Sequence, residues 1–342
     1  MIFSSDNTAA APPEIVEAMI RAASGSALPY GADDHSASVR SRLADLFEHD
    51  VDVLFVSTGT AANALSLATL TPPWGSVLCH RESHINNDEC GAPEFYTAGA
   101  KLVPLGGADA KIDPAELRTA VRHKTGDVHS VEPSVVSITQ ATESGAVYTL
   151  DEVRELGAIA KDAGLRVHMD GARFAGAVAS LNCTPAELTW RAGVDVLSFG
   201  ATKNGTMTAD AIVVFDRSLT PELSFRGKRA GQLTAKMRFQ AAQLDAYLAD
   251  GLWLRNAAHA NAMAARLQEG LKAIPGVELL GAADANILFA RLPQEVLDGL
   301  LADGFAFYHD RWGQGVVRLV TSFATTEGEV DALLGAATRH AA

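Results

Sequence analysis

The sequence predicts an α/β protein built on a mostly parallel sheet, with a smaller α+β domain towards its end, and three observations carry that expectation. From residue 51 onward short apolar runs alternate with segments of helical pattern, the order that produces right-handed strand-helix-strand crossovers. Several of the runs are rich in Val and Ile, as strands covered on both faces are. Between the runs stand helix-start signals. Thr149-Leu150-Asp151-Glu152 and Thr184-Pro185-Ala186-Glu187 each set a capping hydroxyl ahead of a glutamate that can reach back to it.

Taken in order, residues 51–56 (VDVLFV) read as a strand, 61–70 as a helix and 76–80 as a strand. Residues 101–105, 134–139, 165–169, 194–199 and 211–215 continue the strand series, and the helix opened by Thr149 runs to about residue 163, where Gly164 stops it. From about 230 to 271 the pattern is helical, interrupted near Asp250-Gly251. Strand candidates follow at 285–290, 305–308 and 316–320, with a helix over 294–301 and a last one opened by Thr326-Glu327-Gly328-Glu329. The expected division is a large domain over residues 1–250, including an N-terminal arm, and a small domain over 251–342.

Composition narrows the function. The 342 residues, 48% hydrophobic and 20% charged, are of globular type and long enough for a sizeable core. A formal net charge of −13, from 28 Lys+Arg against 41 Asp+Glu, speaks against nucleic acid or an anionic membrane as the main partner. It leaves room for a small anion, because a few cations and backbone amides suffice for one phosphate. Cys79, Cys90 and Cys183 lie far apart, which offers no zinc pattern and fits a reducing cytoplasm. No signal peptide, membrane span or metal is expected.

Four segments carry chemistry. Val167-His168-Met169-Asp170-Gly171-Ala172-Arg173 ends a strand with a carboxylate, at the sheet edge where ligands of open α/β folds bind. Asp170 is there either a solvated turn residue or a buried acceptor for a protonated nitrogen. One strand-helix-strand unit later, the run from Val194 to Phe199 delivers Gly200-Ala201-Thr202-Lys203-Asn204-Gly205 to the same edge. A loop lysine is usually a surface charge, but among small residues with no acid near in sequence Lys203 could lose its proton and condense with a carbonyl. In Ser57-Thr58-Gly59-Thr60 a strand turns into a helix through hydroxyls and a glycine, which reads as an ordinary cap or as a phosphate cradle. His84, after the strand ending at His80, is either structural or a ring able to stack on a flat heteroaromatic and move protons. Jointly, these are the parts that hold pyridoxal 5′-phosphate: Asp170 pairs with the pyridine nitrogen and Lys203 carries the cofactor as a Schiff base.

With those residues in view, the chain resembles the low-specificity L-threonine aldolases, pyridoxal-phosphate enzymes of fold type I, which have an aspartate-aminotransferase-like architecture. The likeness covers nearly the whole chain and is densest at Ser5-Asp6, Tyr30-Gly31, Ser57 to Thr60, the His84 segment, His168 to Arg173 and Arg318-Leu319-Val320-Thr321. The resemblance implies that Gly59 and Thr60, joined by Thr58 from the cradle reading, bind the cofactor phosphate, that His84 stacks on its ring, and that Ser5, Arg173 and Arg318 hold the substrate carboxylate, Arg173 lying against the cofactor as well. It also implies that His129 lies near the substrate side chain, that Tyr30 reaches in from a neighbouring subunit, and that the protein is a homotetramer, a dimer of dimers. The basic stretch at Lys228 and Arg229 is a candidate for phosphate contact across an interface. Ala201-Thr202-Lys203-Asn204-Gly205 departs from the commoner Ser-Lys-Gly pattern and is similar to that of aldolases acting on phenylserine-type substrates.

The expected reaction is retro-aldol cleavage of an amino-acid substrate (L-threonine, L-allo-threonine or phenylserine type) to glycine and an aldehyde, with His84 or His129 as the base. The alternatives are a β-eliminating lyase or aminotransferase of the same fold, and, from a different class, a non-catalytic nucleotide-binding module. Inside the cleft the expected field is positive, from Lys203, Arg173 and Arg318, against the acidic balance of the whole chain.

Overall fold

The computed structural model of the chain describes residues 1–341. Its larger sheet comprises β1 (Asp52–Val56), β2 (Gly75–His80), β3 (Lys101–Leu105), β4 (Glu132–Thr139), β5 (Arg166–Gly171), β6 (Val196–Phe199) and β7 (Asp210–Val214). The strands lie in the order β1-β7-β6-β5-β4-β2-β3. Strands β2 to β6 are parallel, and β7 alone runs against both its neighbours, β6 and β1. β2 and β7 are buried at every position, which accounts for their near-continuous apolar reading.

The expected helix starts are present. Thr149, Thr184 and Thr326 each close a capping box with the glutamate three residues on. The helical stretch after residue 230 divides into Arg238–Leu248 and Leu252–Lys272, broken where Asp250 and Gly251 take left-handed backbone at φ 50° and 70°. Two helices before residue 51 had no counterpart in the sequence reading: Pro13–Ala22, and Asp34–Phe47 capped by the Asp33 carboxylate. They pack on Arg238–Leu248 over one face of the large sheet.

The smaller sheet is antiparallel, in the order β10-β11-β9-β8, with β8 (Glu278–Leu280), β9 (Ile287–Arg291), β10 (Tyr308–His309) and β11 (Val316–Val320). The expected strand over 305–308 is shorter because Ala306 pairs instead with the start of the chain. The Phe3 amide donates to the Ala306 carbonyl at 2.7 Å and the Ala306 amide to the Met1 carbonyl at 2.9 Å. Phe3 is buried among Leu267, Leu288 and Val317, so the first residues pack with the small domain. Helix Leu252–Lys272 serves both halves: Leu252, Trp253 and Ala257 join the large core, and Met263, Leu267 and Leu271 the small one.

Candidate active site

The carboxyl ends of the parallel strands and the face of the small sheet enclose a cavity of about 790 Å³. His84, Glu143, Arg173 and Lys203 line it from the side of the larger sheet, Tyr308 and Arg318 from the smaller one, and Ser5 from the N-terminal segment.

Asp170 stands near the end of β5 with 2% of its surface exposed. Its Oδ1 accepts from the Ala172 amide at 3.0 Å, and its Oδ2 from Asn63 Nδ2 at 2.9 Å. Gly171 has to be glycine, since a Cβ there would lie 2.7 Å from the Ser198 carbonyl oxygen and from Leu197. His168, two residues earlier on the same face of β5, is fully buried between the hydroxyls of Ser137 and Ser198, at 2.9 and 3.0 Å. Burial pushes its pKa down to about 4, so this imidazole is neutral.

Lys203 is held by its neighbours. The Asp210 carboxylate accepts from the Ala201 and Thr202 amides at 2.8 and 3.0 Å, and the Asn204 amide group donates to Tyr247 Oη and the Trp253 carbonyl at 2.7 and 2.8 Å. Burial raises the Asp210 carboxyl in spite of those bonds. Gly200 lets the turn press against Ala172, whose Cα would lie 2.6 Å from an added Cβ. The amine of Lys203 faces the cavity and has no ion pair or hydrogen bond among the described residues.

The helix Gly59–Leu70 starts at the same edge. Thr58 caps it, accepting from the Ala61 amide at 3.1 Å, while the Gly59 and Thr60 amides, at its first two positions, have no partner among the described residues. A Cβ added at Gly59 would meet nothing within 4 Å. One turn further, Asn63 reaches Asp170, which ties this helix start to the carboxylate.

His84 opens the short helix His84–Asn87. Its Nδ1 lies 2.8 Å from Glu89 Oε1, and the same oxygen accepts from Asn63 Nδ2 at 2.8 Å. The Glu89 side chain is fully buried, whereas that of His84 is 30% exposed. The hydrogen bond that His84 makes to Glu89 raises the imidazole above its ordinary pKa, and burial raises the Glu89 carboxyl.

The two arginines differ. Arg173 donates from Nε and Nη2 to the two oxygens of Asp6 at 2.8 and 2.9 Å, and Asn286 Nδ2 adds a third bond to Asp6 at 3.0 Å. Burial alone would raise Asp6, but the Arg173 guanidinium, with Lys203 nearby, holds it below the usual carboxylate range. Arg318, on β11, has one longer bond, Nη2 to the Ser4 carbonyl at 3.3 Å; its Nε is buried and unpartnered. Its guanidinium lies over the rings of Tyr308 and Trp312, 5.1 and 5.7 Å from their centroids. Burial and the nearby Arg173 charge lower its pKa. Ser5 lines the cleft with its Oγ accepting from the Asn7 amide at 3.2 Å.

His129 is exposed on the turn before β4, its amide bonded to Asp127, at the opposite end of that strand from this chain's own cleft. Arg173, Arg318 and Ser5 all line the cleft, and Asp6 takes the Nε and Nη2 donors of Arg173. The cleft is also not uniformly positive, since Glu82, Asp88, Asp109 and Glu143 line it along with the cations. Tyr30 lies outside this chain's cleft, 51% exposed, with Lys228 Nζ 5.2 Å from its ring centroid; Arg229 sits beside Lys228 at the end of its helix. The sequence reading missed Asn63, Glu89, Glu143 and Asp210, whose roles arise from contacts between distant segments.

Fold and site together define a pyridoxal-phosphate enzyme architecture of fold type I. The model of the beta-eliminating lyase family matches residues 3–293. A low specificity L-threonine aldolase of Pseudomonas sp. (strain NCIMB 10558) is 45% identical over 96% of this chain and 94% of its own length. One from Pseudomonas aeruginosa is 44% identical over 94% and 93%. The structure of a threonine aldolase from Leishmania major superposes with a TM-score of 0.93 at 32% identity, covering 100% of this chain and 99% of that one. The chain belongs to the beta-eliminating lyase family, and within it to the low-specificity L-threonine aldolases.

Proposed function

We propose that the chain uses pyridoxal 5′-phosphate to cleave L-threonine, L-allo-threonine or phenylserine-type β-hydroxy amino acids to glycine and an aldehyde. The observation that carries this reading is the pairing of an unpaired lysine, Lys203, with a buried carboxylate, Asp170, at adjacent strand ends beside one cleft. The residues present fit the cofactor. The partnerless Gly59 and Thr60 amides suit its phosphate, Asp170 its ring nitrogen, His84 its ring face, and the Lys203 amine its aldehyde. Bound there, it supplies an electron-accepting ring for the pair released when the Cα–Cβ bond breaks.

The chain's own residues do the rest. Arg318 holds the substrate carboxylate, helped by Ser5, while Arg173 lends charge from its Asp6-bound position. That grip fixes the substrate's orientation, an effect that can supply several kcal/mol. Asp170 keeps the ring nitrogen protonated through a charge-assisted hydrogen bond. Of the two candidate bases, His84 is the one in the cleft, and it takes the β-hydroxyl proton directly or through a water. Support for phenylserine-type substrates comes from the Ala201-Thr202-Lys203-Asn204 variant and from the Tyr308 and Trp312 rings at the cleft. Exposed Tyr30, with Lys228 and Arg229 beside it, supports assembly into a homo-oligomer.

Incubation of the cofactor-loaded protein with L-threonine, L-allo-threonine and phenylserine tests the reading. Glycine and aldehyde are expected, whereas ammonia and a keto acid would point to β-elimination. Full activity of Lys203→Ala without added amine would overturn the assignment of the lysine.

A further inference from the structure

The reaction as read above gives Glu89 no part, yet the carboxylate is fully buried and tied to the site through two bonds. We propose that Glu89 is the positioning residue of the cleft: it holds His84 by Nδ1, so that Nε2 is the nitrogen that accepts the substrate's hydroxyl proton. This rests on the aldolase reading and adds to it the atom that acts and the group that supports it.

The geometry carries the proposal. Glu89 Oε1 lies 2.8 Å from His84 Nδ1, which makes Nδ1–H the donor and leaves Nε2 the basic nitrogen. Nε2 has no partner among the described residues, and the ring lines the cleft. Asn63 fixes the carboxylate in turn, donating from one Nδ2 to Glu89 Oε1 at 2.8 Å and to Asp170 Oδ2 at 2.9 Å. The two buried acids are thereby registered against each other through one amide. An imidazole held at Nδ1 by a carboxylate accepts a proton at Nε2 more readily, because the imidazolium forms beside a fixed negative charge. In the step itself the substrate O–H bond breaks, an N–H bond forms at Nε2, and Glu89 Oε1 keeps the Nδ1–H bond beside the new charge, which in turn favours the carboxylate against the burial that raises it. Besides Glu89, the acids that act on His84 are Asp170 and Glu143, and both support the imidazolium; Lys203 and Arg173 are the cations that line the same cleft.

The test compares Glu89→Gln with Glu89→Asp in the holoenzyme. Glutamine can still accept from Nδ1–H and from Asn63 but carries no charge, so orientation is kept while support for the imidazolium is lost. The expected result for Glu89→Gln is a fall in kcat of about 10- to 100-fold with KM nearly unchanged, the size usual for the loss of a group that supports a reacting side chain from behind. The acid limb of the kcat/KM profile is expected to move to lower pH, and Glu89→Asp to recover part of kcat. A purely structural role would not move that limb. The decisive second readout needs no turnover: the His84 ring, titrated by NMR, is expected to protonate at lower pH in Glu89→Gln than in the native protein. An unchanged ring titration, or an unchanged acid limb with native kcat, overturns the proposal. Absence of aldehyde release by the native protein would instead retire the aldolase reading, and the ring titration would still decide whether Glu89 governs His84.

Discussion

Asp6 and Arg173 are 167 residues apart in sequence and meet beneath the cleft in a two-pronged ion pair, with both partners almost completely buried. Because the pair consumes the Arg173 fork, Asp6→Asn is expected to act on stability before it acts on binding. Leaving one buried charge unmatched costs about 3–5 kcal/mol. Urea unfolding of Asp6→Asn against the native protein checks this, and a change below about 1 kcal/mol would show that the pair is compensated from elsewhere.

Arg318 is the counter-case, a half-buried guanidinium whose Nε has no partner. Arg318→Leu is expected to raise KM for the amino acid by about 10- to 100-fold, the loss of one charged hydrogen-bonding group worth about 1.5–3 kcal/mol. The same substitution is expected to raise the melting temperature of the cofactor-loaded protein without substrate, because an uncompensated charge leaves the interior. Steady-state kinetics and thermal unfolding on one preparation test both halves.

His168 gives a pH signature. Its folded pKa, about 4, lies below its ordinary value of 6.5, so between those values the unfolded chain binds a proton that the native state refuses. The stability this group contributes is therefore complete above about pH 6.5 and falls away as pH drops towards 4. The size is about 3 kcal/mol across that window. His168→Gln should lose correspondingly less stability than the native protein between pH 7 and about 4.5 in parallel urea titrations.

Gly145 locks the turn that presents Glu143 to the small domain. It has φ 90°, and a Cβ there would lie 2.3 Å from the Ile287 carbonyl oxygen of β9. Gly145→Ala is expected to destabilise by about 1–3 kcal/mol, through strain at positive φ together with the clash. It should also weaken substrate binding by shifting the two halves of the cleft. Unfolding and KM measurements should move together; a change in stability alone would show that the strain is absorbed locally.

How far the sequence revealed this molecule depends on the range of the contact concerned. Strand 316–320 and the Thr326 box were readable because burial on both faces and a side-chain cap leave local patterns. Asp170 and Lys203 were readable because strand ends bring such residues to one edge. Asn63 and Glu89 carry no comparable signal: one is a polar residue within an apolar helix, the other an acid in an acidic segment. Their meeting depends on how Gly59–Leu70 packs beside β5, which no local spacing records. The place of His129 is hidden from the sequence for the same reason, since its position follows from the direction of β4 and not from the residue's chemistry.

The opening residues are threaded into the small sheet, where the Val320 amide donates to the Phe3 carbonyl at 2.8 Å. The segment that carries Ser5 and Asp6 is thereby seated by β11, the strand that also bears Arg318. The small sheet governs both arginines at once: it presents the Arg318 guanidinium itself and holds in place the segment whose Asp6 carboxylate pairs with Arg173.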